Sequence, residues 1–68
     1  MALTVRLPRW DSHAADRLQQ AGIEVRNAPA GYRCQGVEVG LEADSQDDVV
    51  RALRGWTVLL PRDFVASA

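Results

Sequence analysis

One histidine, one cysteine and nine carboxylates are the groups with which this chain could do acid–base, metal or nucleophilic chemistry. His13 stands three residues before Asp16 and two after Asp11, a spacing that could offer a metal ion one imidazole and two carboxylates. No metal motif surrounds it, and a surface histidine in the first turn of a helix is the expected reading. Ser12 and His13 are adjacent, so on a helix their side chains point apart and cannot work as a nucleophile–base pair. Cys34 has no second cysteine, which rules out an intramolecular disulfide and a Cys-based zinc site, and a reducing, cytoplasmic setting is expected. Asp44, Asp47 and Asp48 lack the alternating ligands and closing glutamate of an EF-hand, and helix capping accounts for them. Gly22, Gly31, Gly36, Gly40 and Gly55 are scattered and form no phosphate-cradling loop. These residues predict no catalytic, cofactor-binding or metal site, and hence a non-enzymatic protein.

The residues suited to recognition are Arg9 and Trp10, Tyr32 and Arg33, and Arg62. Tryptophan, tyrosine and arginine dominate binding hot spots because each presents a large surface at low entropic cost. Trp10 follows Pro8-Arg9 and precedes Asp11, where it serves either as an exposed anchor or as a hydrophobic staple on the following helix. All eight basic residues are arginine; a genome rich in arginine codons and selection for bidentate contacts are the two explanations.

With 68 residues the chain predicts a single α+β domain over residues 1–65 and a frayed tail over 66–68. It is 47% hydrophobic and 25% charged, the balance of a folded globule and not of a disordered tail. Its formal net charge of −1 supplies no overall positive field for phosphate-led nucleic-acid binding. No apolar run approaches the length of a transmembrane helix, and the first residues lack a signal-peptide pattern.

The elements that must position these residues follow from periodicity. Residues 3–7 alternate as a half-buried strand, with Leu3, Val5 and Leu7 inward and Pro8 closing it. Asp11 or Ser12 caps a helix over residues 13–20, with Ala14, Leu18 and Ala21 inward and Gly22 at its end. Residues 23–26 resume alternation, residues 27–31 turn, and a second arm runs from Tyr32 to Leu41 or Glu42, with a break at Gly36 resetting its phase. A second helix follows Asp44-Ser45, with Val49, Ala52, Leu53 and Trp56 on one stripe and an Asp47–Arg51 pair outside. Residues 57–60 then read as the last strand, closed by Pro61, and Phe64 and Val65 as a lid.

This βαββαβ order predicts a ferredoxin-like plait, a four-stranded antiparallel sheet with both helices on one face. Thr4-Val5-Arg6-Leu7-Pro8-Arg9 nearly repeats as Thr57-Val58-Leu59-Leu60-Pro61-Arg62, so the two copies are expected to pair, leaving Arg9 and Arg62 at opposite ends of the sheet. The open face would carry Thr4, Arg6, Glu24, Arg26, Glu38, Gly40 and Glu42, with no aromatic residue on which a base could stack. Sequence-specific nucleic-acid reading is therefore not expected, and Arg6 and Arg26 read as cross-strand partners of Glu38 and Glu42. What remains is a small interaction module, an adaptor or inhibitor acting on another protein. Its size also fits inhibitors carried by phages or mobile elements, such as anti-CRISPR proteins. A self-pairing edge strand would make it a homodimer. The alternative is a ligand-binding regulatory domain of ACT-like type that works as a homodimer.

Overall fold

The computed structural model describes residues 1–30 and 35–65. Tyr32, Arg33 and Cys34, and the tail over 66–68, lie outside the described residues. The elements are β1 (Ala2–Arg9), α1 (Ser12–Gln20), β2 (Glu24–Asn27), β3 (Gln35–Glu42), α2 (Gln46–Ala52), a 3₁₀ turn (Pro61–Asp63) and β4 (Phe64–Val65). The strands form one sheet in the order β2-β3-β1-β4, with each neighbouring pair antiparallel.

One face of this sheet makes the core. Alternation along β1 buries Leu3, Val5 and Leu7, and β3 meets them with Val39 and Leu41. The helices bring Ala14, Leu18, Val49 and the helix-ending Leu53 to the same cluster, so both cover the same face. Asp11 caps α1 by accepting from the Ala14 N–H at 2.9 Å, and Ser45 caps α2 by accepting from the Asp48 N–H at 3.3 Å. Gly22 takes φ +76° after α1, the left-handed conformation that ends a helix cheaply only at glycine. Ala21, expected inward, is instead the exposed C-cap residue, because the chain leaves the helix there.

Further local expectations are corrected. Pro8 does not close β1, which continues to Arg9. The register places Pro8 opposite Gly36, and the pairing skips that rung, so the missing proline N–H costs no ladder bond. Gly36 itself sits at φ +61°, but the register with β1 is the same on both sides of it, and the Tyr32 and Cys34 whose phase the expected break would reset lie outside the described residues. Arg51 pairs with Asp48, one residue nearer than Asp47.

The largest correction concerns the last strand. Residues 57–60 form no strand; β4 is Phe64–Val65, which pairs with Val5 and Thr4. Two capping arrangements cause this. The Leu53 carbonyl accepts from the N–H groups of both Trp56 and Thr57, at 3.0 Å each, which adds a turn after α2. Then Asp63 folds back, its carboxylate accepting from the Leu60 N–H at 2.8 Å while its own N–H donates to the Leu60 carbonyl at 2.9 Å. Pro61 at the first position suits this turn, since its fixed φ is helical and its absent N–H would have had no partner. Leu59 alone dips into the core, leaving Val58 and Leu60 outside.

Candidate functional site

Trp10 is only 5% exposed and belongs to the core cluster, so of the two roles expected for it the packed one fits and the exposed anchor does not. Its position explains this: it follows the exposed Arg9 at the end of β1 and immediately precedes the α1 cap, so it seals the corner between strand and helix. Its neighbours remain outside. Arg9 lies over the Trp56 ring, 5.9 Å from the centroid, and its Nε is 3.6 Å from the Asp11 carboxylate. Asp11 thus both caps α1 and holds Arg9. The Ala14 N–H, more than Arg9, draws its carboxyl below the ordinary value of 3.8, and burial opposes the change. The Trp56 Nε1 is buried with no hydrogen-bond partner of good geometry among the described residues, although its proximity adds slightly to the effect on Asp11. Arg17 ties the helices together by donating from Nη1 to the Arg54 carbonyl at 2.9 Å, just past the end of α2.

Beside this corner, an open groove of 440 Å³ runs between β1 and the segment that sequence patterning takes for its partner strand. Arg6, Leu7 and Pro8 form one wall, residues 57–60 the other, and Arg62 and Asp63 the end. Because β4 covers only Thr4 and Val5, nothing pairs with this side of β1 beyond them among the described residues. Val58 is 82% exposed and Leu60 41%. The N–H groups of Val58 and Leu59 donate to no backbone acceptor among the described residues. Arg62, expected at the far end of the sheet from Arg9, lines the same groove as Pro8, because β4 lies after the second Pro-Arg pair and not before it.

The opposite face of the sheet is paired within itself. Arg6 meets Glu38 at 3.1 Å across β1 and β3. Arg26 reaches Glu42 at 3.6 Å and Glu24 at 3.9 Å, which relieves the repulsion between two glutamates that the register sets opposite each other. The Met1 ammonium donates to Glu42 at 2.8 Å and, ahead of Arg26, pulls that carboxyl below its ordinary value of 4.5. Both cross-strand pairs expected from the alternation are present.

His13 and Asp16 share a shallow depression on α1 with Arg17 and Gln20. No group of three His, Cys, Asp or Glu among the described residues is arranged to hold a metal. No helix among them is long and apolar enough to cross a membrane. Arg9 and Arg62 are thus set around one end of β1, while Trp10 is withdrawn from the surface. Sequence patterning overlooked the groove and its exposed Val58 and Leu60. The usable signal was Leu60-Pro61-Arg62-Asp63, a proline followed two residues on by an acid, which marks the start of a helical turn more strongly than the end of a strand. The chain matches no family model, no curated protein and no solved structure.

Proposed function

We propose that this chain is a small non-enzymatic protein-interaction module, built as a ferredoxin-like plait, that docks another protein against the free side of β1. The fold reading is supported by the order β2-β3-β1-β4, since two interleaved right-handed β-α-β crossovers give that order with all neighbours antiparallel. One observation carries the functional reading. Val58 and Leu60 stand exposed beside an uncovered strand side, between Arg9 on Trp56 and Arg62. Apolar side chains rimmed by arginine are the composition of a binding patch, whereas the paired face of the sheet has satisfied its own charges.

The test is affinity capture of the tagged protein under gentle conditions, with stoichiometry read by mass spectrometry. Capture is repeated with Arg9→Glu and with Arg51→Glu on the surface of α2. One dominant protein at near-equal molar ratio, lost with Arg9→Glu and retained with Arg51→Glu, is the expected result. Recovery of the bait alone with all three proteins would overturn the reading and direct attention to small ligands.

A further inference from the structure

We propose that the groove between β1 and residues 57–60 binds an acidic, extended segment of a partner protein by β-strand addition. The inference rests on the interaction-module reading and specifies its mode and the partner's chemistry.

Three observations converge. Residues 57–60 keep the in–out alternation of a strand, with Leu59 buried and Val58 and Leu60 outside, yet have no strand partner. The Val58 N–H lacks a backbone acceptor among the described residues, and an incoming extended chain along that side offers it a carbonyl. Residues 57–60 also contain no lysine, glutamate or proline of the kind that usually blunts an exposed edge against pairing.

Charge selects the occupant. Arg6 and Arg62 line the groove, and the single acid there among the described residues, Asp63, turns its carboxylate to the Leu60 N–H. Arg62 makes no ion pair among the described residues, whereas Arg6 already holds Glu38. A second copy presenting its own residues 57–62 would bring Arg62 toward these arginines. An acidic segment meets them with opposite charge, so strand addition by such a segment is favoured over self-pairing.

The experiment uses a fluorescein-labelled peptide, Glu-Glu-Val-Thr-Val-Thr-Val-Glu-Glu, and a control with lysine at each glutamate, both titrated against the full chain by fluorescence anisotropy. The acidic peptide should bind about tenfold or more tightly than the lysine peptide at low salt, and Arg62→Glu should erase or reverse that preference. Val58→Pro should weaken binding about tenfold by removing one donor. Its fold should survive, since that N–H has no backbone acceptor among the described residues; if circular dichroism shows otherwise, Val58→Glu replaces it, with the same loss expected. Equal binding of the two peptides, no binding up to millimolar concentration, or binding indifferent to Arg62→Glu would overturn the proposal. So would sedimentation showing a dimer that Val58→Pro dissociates, because a second copy would then be the occupant. A stoichiometric partner captured equally by wild type, Val58→Pro and Arg62→Glu would overturn the groove alone and leave the module reading standing.

Discussion

The two sides of β1 are built from the same residues and meet opposite fates. Toward β3, pairing runs from Ala2 to Arg9 with one skipped rung, and its outward face is closed by the Arg6–Glu38 pair. Toward β4, pairing stops after Val5, and beyond it lies a groove bordered by exposed apolar side chains. A strand is thus not uniformly an edge or an interior element. What decides is whether the neighbouring chain segment is free to follow it. β3 returns from β2 and is free. Residues 57–60 are held between a turn after α2 and the Asp63 cap, and only Leu59 among them is buried in the core.

Mutations on the two sides should separate them sharply. The largest effect is expected at Trp10, which seals the corner of the paired side. Trp10→Ala should cost about 3–5 kcal/mol, a large share of the ~5–15 kcal/mol typical of a whole domain. Val58→Ala should stay within about 0.5 kcal/mol, because the side chain is already in solvent. Urea unfolding of both variants measures the gap, and similar losses would mean that residues 57–60 carry packing that this description denies them.

Next comes the device that keeps those residues off β1. Asp63→Ala removes the acceptor of the Leu60 N–H and should cost about 1 kcal/mol. Hydrogen exchange should then quicken at Phe64 and Val65, which the turn delivers to β1. Protection gained over residues 57–60 would be more informative still, showing that the repeated segment zips onto β1 once the cap is gone.

Acid should act at both ends of the paired side. Asp11 and Glu42 both have carboxyls drawn below their ordinary values, by the Ala14 N–H and by the Met1 ammonium respectively. A carboxyl lowered in the folded state contributes stability that is complete above its unfolded value and is lost as pH falls through the folded one. Tm should therefore decline as pH drops below about 4, and less steeply in an Asp11→Asn, Glu42→Gln double variant. Parallel acid limbs for the two proteins would assign the decline to other carboxylates.

The smallest effect belongs to the outward ion pair. A double-mutant cycle on Arg6 and Glu38 should return roughly 0.2–1 kcal/mol, as for exposed pairs generally, and less at high salt. A larger coupling would show that the paired side depends on this contact for its register.

The sequence alone determined what local chemistry dictates. The two helices, a cap at the start of each and the inward set of β1 and β3 follow from spacing and side-chain type within a few residues, whereas the charge pairs of the open face also required the expected strand neighbours. Where two local signals competed, patterning chose wrongly. Residues 57–60 have a strand's alternation and resemble β1, yet the Pro61-Arg62-Asp63 turn and the double use of the Leu53 carbonyl outweigh them. The candidate site depends on that outcome. Whether Arg62 stood near Pro8 or far from it turned on which segment occupied the place beside β1. That is a competition between distant parts of the chain for one set of backbone donors and acceptors, and only the folded structure resolves it.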